Sequence, residues 1–118
     1  MPRPTEKRLM KLILSGRTDP AMTFDEKVWA LTCRVPAGKV TTYAAIARRL
    51  RSKAYRAVGS AMHRNPHAPQ VPCHRVVGSD GRLTGYAGGL DKKLRMLEGE
   101  GVTMRSGRVA MGESFVEV

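Results

Sequence analysis

A chain of 118 residues with 42% hydrophobic and 26% charged side chains has the size and composition of one globular domain, which excludes intrinsic disorder. Its 21 Lys and Arg against 10 Asp and Glu leave a net charge of +11, a field that favours a polyanionic partner, nucleic acid above all. Aromatic residues make up only 5%, which argues against a stacking platform for single strands, and no apolar run approaches the ~20 residues of a membrane span.

Residues 1–22 read as a basic N-terminal arm with a short helical patch, "EKRLMKLILS", ended by "GRTDP". The apolar run "LMKLILS" follows Lys7-Arg8 and lacks a small-residue cleavage site, so it is not read as a signal peptide. Residues 23–118 then form the domain proper. Thr23 is placed to cap a helix over "FDEKVWALTCRV", with Asp25 and Glu26 in the first turn, where the helix dipole favours acids. Phe24, Val28, Trp29, Leu31 and Cys33 supply its apolar stripe, and "PAGK" ends it.

In "VTTYAAIARRL", Thr41 or Thr42 caps a helix whose apolar positions are Tyr43, Ala44, Ile46, Ala47 and Leu50. After "RSKA" a second short helix, "YRAVGSAMHRN", completes a helix-turn-helix, although the turn lacks glycine. The middle of this second helix is Ala57, Val58, Gly59, Ser60 and Ala61. Such small side chains suit close approach to a narrow groove or phosphate backbone, and equally suit tight helix–helix packing.

Pro66, Pro69 and Pro72 then forbid helix or regular central strand. "HRVVGSDGRLTGYAGG" suggests a strand, a Ser-Asp-Gly turn and a second strand. "LDKKLRMLEGEG" is helical, with Leu90, Leu94 and Leu97 as its apolar stripe, and the tail alternates about a Ser-Gly turn as a short β-hairpin does. The expected fold class is α+β, a small domain with a winged-helix-like DNA-binding core.

The two cysteines, Cys33 and Cys73, form no C-x-x-C pair and suggest no disulfide scaffold, as in a reducing, cytoplasmic compartment. Cys33 falls on an apolar helical face and reads as core. Cys73 in "PCHR" has three readings. A zinc site would use His63, His67, Cys73 and His74, but their spacing does not match the usual paired ligands. A buried structural thiol is the default for a lone cysteine. A reactive thiolate would be favoured by nearby Arg64, His74 and Arg75. Adjacent residues in extended chain point to opposite faces, so His74 needs a turn or a bridging water to reach the thiol. Glu98 or Glu100 would orient the imidazole.

The stretch "RAVGSAMHRNPHAPQVPCHRVVGSDGRLTGYAGGLDKKLRMLEGEG", with its "NP", "PCHRV" and "GYAGG" motifs, resembles the active-site domain of the methylated-DNA–protein-cysteine methyltransferases, the O6-alkylguanine-DNA alkyltransferases. The likeness runs from about Phe24 to Val102. It implies single-turnover transfer of an alkyl group from guanine O6 to Cys73, in double-stranded DNA, after the base is flipped out. It implies no metal, no cofactor and a monomer. By the same resemblance, His74 deprotonates Cys73 through a water, Glu100 orients His74, Asn65 supports the turn into the cysteine segment, and Tyr43 donates a proton toward the leaving guanine. Arg56 would fill the gap left by the flipped nucleotide. Ala57, Gly59 and Ser60, with Thr42, would meet the DNA. Met62, Val76, Tyr86, Ala87 and Gly88 would line or gate the base pocket. Relatives commonly carry a further N-terminal domain, whereas some 22 residues precede Phe24 here. The shorter alkyltransferase-like proteins bind alkylated guanine without the cysteine and signal to another repair pathway, which is the alternative function. A helix-turn-helix transcription factor is a third, opposed by the small-residue helix.

Overall fold

The computed structural model describes residues 2–118. Its elements are α1 (Glu6–Leu14), α2 (Phe24–Thr32), β1 (Thr41–Thr42), α3 (Tyr43–Arg49), α4 (Tyr55–His63), a 3₁₀ turn (Cys73–Arg75), β2 (Val76–Val77), α5 (Leu90–Gly99), β3 (Met104–Arg105), β4 (Arg108–Val109) and α6 (Met111–Ser114). This is the expected mixture of helices with very small sheets.

Local chemistry starts the first three helices. Thr5, Thr23 and Thr42 each turn a hydroxyl onto the backbone amide three residues on, and Glu26 closes a capping box by accepting from the Thr23 amide at 2.8 Å. At the far end of α3, Arg51 takes a left-handed φ of 55° where glycine is usual. It stays because the Arg51 and Ser52 amides donate back to Arg48 and Ala47, both at 2.9 Å.

α2 is the hub. It packs against α1, α3, α4 and the 3₁₀ turn, so Val28, Ala30, Leu31 and Thr32 are all buried, a wider buried surface than one stripe. Thr32 is accommodated because its hydroxyl donates to the Val28 carbonyl at 2.8 Å. The main core joins Val28 and Leu31 to Ile46, Ala47, Val58, Ala61, Met62 and Val76. Each large apolar side chain buried there stabilises the fold by about 1.5–3 kcal/mol.

Two expectations are corrected. The segment after β2 does not form a strand–turn–strand hairpin: β2 pairs in parallel with β1, Thr41 opposite Val76 and Thr42 opposite Val77. The turn at Ser79–Gly81 does form, and Arg82 then bridges to Arg108, but residues 83–89 stay irregular because Gly85 and Gly89 adopt positive φ and the Thr84 carbonyl bonds to side chains. Gly81 is required: a Cβ there would sit 2.4 Å from the Val109 oxygen. On α5 the apolar stripe is incomplete. Leu97 is buried but Leu90 is 48% exposed, and the inward position between them is Lys93, at 0% exposure. The tail hairpin β3–β4 forms as expected, with Ser106 and Gly107 both at positive φ in its two-residue turn.

Candidate active site

Between α4, the cysteine segment and residues 84–88 lies a cavity of about 550 Å³, within the range of small-molecule sites. Cys73, Tyr43, Asn65, Met62, Gly59 and Arg56 line it, together with Tyr86, Ala87 and Gly88. Tyr55, His63, Ala68, Thr84, Gly85 and Lys92 also contribute, none of them singled out for the pocket from sequence.

Cys73 opens the 3₁₀ turn, so it and His74 share a tight bend instead of opposite faces of a strand. His74 is 2% exposed, with Nε2 3.1 Å from both carboxylate oxygens of Glu100. A carboxylate only accepts, so the proton sits on Nε2 and Nδ1 is the basic nitrogen. Nδ1 is buried and has no hydrogen-bond partner among the described residues. Burial lowers the His74 pKa below its ordinary value against the upward pull of Glu100, which keeps the imidazole neutral. Burial alone would raise Glu100, but hydrogen bonds from Arg75 and His74 outweigh it and hold the carboxyl low.

The sequence marks Arg75 only as a nearby positive charge. In the structure its Nε and one terminal nitrogen bond the Glu100 carboxylate at 3.0 and 2.6 Å, and the other donates to the Val35 carbonyl at 2.8 Å. Arg64 is likewise engaged, by Asp25 at 2.7 and 2.9 Å. Both arginines expected to favour a thiolate are thus also paired with carboxylates. Lys93 is the cation missed. Its Nζ donates to the Val76 and Thr84 carbonyls, both at 2.7 Å, and burial drives its pKa down to about 8, with charge on Cys73 pulling back upward. A lysine at an inward helical position was the available signal.

Tyr43 donates to the Thr84 carbonyl at 3.3 Å and accepts from the Thr84 hydroxyl at 3.2 Å. Burial raises its pKa and a Cys73 charge adds to this, so the phenol stays protonated. Asn65 spans the bend after α4: its Nδ2 donates to the Val71 carbonyl at 3.0 Å, and its Oδ1 accepts from the His67 amide at 2.8 Å.

Two expected residues lie elsewhere. Thr42 is buried under its own helix cap, so it is not on the face with Arg56. Val76 is a core side chain, 0% exposed, and reaches the site only through the carbonyl that holds Lys93. On α4 the small residues divide. Val58 and Ala61 pack inward, whereas nothing among the described residues lies within 4 Å of a Cβ built on Gly59. Ser60 is exposed and Ala57 half-buried. Among the described residues no group of three or more His, Cys, Asp or Glu is placed to hold a metal ion, and no helix is long and apolar enough to cross a membrane.

Residues 23–102 match the family model described as "6-O-methylguanine DNA methyltransferase, DNA binding domain". A methylated-DNA–protein-cysteine methyltransferase of Methanosarcina mazei is 54% identical over 76 residues, 64% of this chain and 48% of that protein. The one from Mycobacterium leprae is 47% identical over 76 residues, again 64% of this chain and 46% of the relative. The chain thus spans about half the length of the curated relatives it matches. Among solved structures, Mycobacterium tuberculosis OGT in complex with DNA superposes with a TM-score of 0.65 at 36% identity, over 80% of this chain and 64% of that one. Schizosaccharomyces pombe Atl1, in complex with damaged DNA containing O6-carboxymethylguanine, reaches 0.71 at 31% identity, over 82% of this chain and 100% of that one. The chain belongs to the 6-O-methylguanine DNA methyltransferase family, and residues 23–102 carry its DNA-binding domain.

Proposed function

We propose that this protein repairs double-stranded DNA by moving an alkyl group from O6 of a flipped-out guanine onto Cys73. The observation that carries the reading is a neutral, buried His74, tethered through Nε2 to Glu100 and with Nδ1 free, beside a cysteine at the wall of the cavity. In the step, the Cys73 proton passes to His74 Nδ1 through a water and the thiolate Sγ attacks the alkyl carbon. The S–C bond forms as the C–O6 bond breaks, its electron pair goes to the guanine, and Tyr43 supplies the guanine's proton. The thioether has no easy leaving group, so each molecule acts once. Asn65 positions the segment, and Met62, Tyr86, Ala87 and Gly88 enclose the base.

Arg56 and the open surface at Gly59 suit a helix pressed into the DNA, Arg56 taking the place of the flipped base. Residues 23–118 would work as the domain, in the cytoplasm, as a monomer, without cofactor. Retention of Cys73 with its His74–Glu100 pair favours transfer over binding alone, and a reactive thiol in a cavity has no use in a transcription factor.

Incubation with duplex DNA bearing O6-methylguanine, followed by intact-protein mass spectrometry, tests this. The expected result is a gain of one CH₂ on Cys73, abolished by Cys73→Ala. Tight lesion binding with no mass change would overturn transfer. Arg56→Ala should slow reaction with duplex more than with free alkylguanine base; equal losses would remove it from flipping.

A further inference from the structure

Helix α1 lies outside the residues matched by the family model, yet its apolar face touches the segment that carries the nucleophile. Leu9, Leu12 and Ile13 of α1, with Met22, form a second buried cluster whose remaining buried member is Val71. Val71 is 0% exposed and stands two residues before Cys73. Its carbonyl accepts from the Cys73 amide at 2.8 Å and from Asn65 Nδ2 at 3.0 Å, and its own amide donates to the His67 carbonyl at 2.9 Å. The backbone that sets the direction of Cys73 is therefore anchored by a side chain that α1 covers.

α1 is itself firmly held. Gly16 ends it in a left-handed turn in which the Gly16 and Arg17 amides donate back to Ile13 at 3.0 Å and Leu12 at 2.9 Å. The Arg34 side chain bonds the Gly16 carbonyl at 2.8 Å. Ahead of the helix, Arg3 pairs with Glu26, the capping glutamate of α2, at 2.8 Å, and bonds the Ala21 carbonyl at 3.2 Å. The remaining holds on the loop come from α2: Trp29 meets the His67 ring edge-on with centroids 6.1 Å apart, and the Cys33 thiol approaches the Gln70 carbonyl at 3.8 Å.

We propose that α1 is a positioning element for Cys73, acting through Val71, so that residues before the matched domain set the rate of the reaction as well as stability. The proposal rests on the reading of Cys73 as the nucleophile. Ile13→Ala opens a space in the cluster that holds Val71, and Val109→Ala opens one in the separate cluster formed with Val40, Val77, Leu97 and Val102. Rates are measured at a temperature where circular dichroism shows each variant folded. Ile13→Ala should lower the alkyl-transfer rate about tenfold, and Ile13→Val should restore most of it. Val71→Ala should give a similar fall, and the double variant should add little to either, since both loosen the same cluster. Amide hydrogen exchange over residues 67–75 should quicken in Ile13→Ala but not in Val109→Ala.

Equal loss of rate in Val109→Ala and Ile13→Ala would reduce α1 to a stabilising helix. Unchanged exchange over 67–75 in Ile13→Ala would break the link through Val71, even if the wild-type protein transfers no alkyl group. Wild type without transfer, but with the expected exchange, would instead overturn the reaction and leave the mechanical link standing. Should Ile13→Ala fail to fold, Ile13→Val and Val71→Ala carry the same comparison.

Discussion

The two cysteines stand on opposite sides of one loop, and their surroundings differ in kind. On the packed side, Cys33 lies against the cluster of α1, with its thiol near the Gln70 carbonyl, and burial pushes its pKa up to about 11. On the open side, Cys73 meets a cavity, follows a helix-to-loop bend fixed by Asn65, and is succeeded by a histidine with one nitrogen free. Both are half-buried, so exposure does not separate them. Both thiols pack against a core cluster, so the difference lies elsewhere: Cys73 alone also borders the cavity and is followed by a histidine with one nitrogen free.

Removing the base should produce the largest effect. His74→Ala should slow alkyl transfer about a hundredfold or more, the scale of a positioned general base, while Cys33→Ala leaves the rate near wild type. In the wild type the rate should fall as pH drops through the His74 pKa, which lies below 6.5, because imidazolium cannot accept the thiol proton. Glu100 pulls that pKa upward, so Glu100→Gln should move the acid limb to lower pH as it lowers the plateau. A limb that stays in place would separate Glu100 from His74.

The comparison sharpens with a small alkylating reagent. At pH 7.5 a thiol titrating near 11 is ionised to only about one part in several thousand, so iodoacetamide should label Cys73 well before Cys33, as peptide mapping would show. Equal labelling would erase the distinction.

Lys93→Met removes the donor to one buried and one partly buried carbonyl and should cost about 2 kcal/mol, read by denaturant unfolding. Wild-type Lys93 titrates near 8, below its ordinary 10.5, so between those values the unfolded chain binds more protons than the folded one. Its contribution to stability therefore rises with pH across that window, and the variant should lose this slope. The smallest effect tests the open face of α4. Gly59→Ala should stabilise the helix by about 0.5–1 kcal/mol yet weaken binding to duplex DNA, since a methyl there meets no protein atom but would meet a partner. Unchanged binding would return Gly59 to an incidental position.

What was legible in the sequence was local. Thr23 with Glu26, the paired helices around "RSKA", the tail's Ser-Gly turn and the Cys73–His74 adjacency all follow from residues within a few positions of each other. Pattern alone does not decide between the alternatives for the small residues on α4, and the structure divides them, Val58 and Ala61 inward, Gly59 outward. Glu100 was singled out only through resemblance, because its partners lie 25 and 26 residues away. Contacts of that reach leave no periodic trace. The same reason hid the β1–β2 pairing and the docking of α1 on Val71. Lys93 is hidden differently: its inward register on α5 is a signal, but a lysine in a helix reads as solvent-facing until two carbonyls are seen to converge on it.

The Thr84 carbonyl accepts at once from the Tyr43 phenol and from the Lys93 ammonium. One carbonyl is thus held by two donors from different helices. Were Tyr43 to turn its proton toward a departing guanine, as proposed, Lys93 would still hold the irregular segment beside the cavity through that carbonyl.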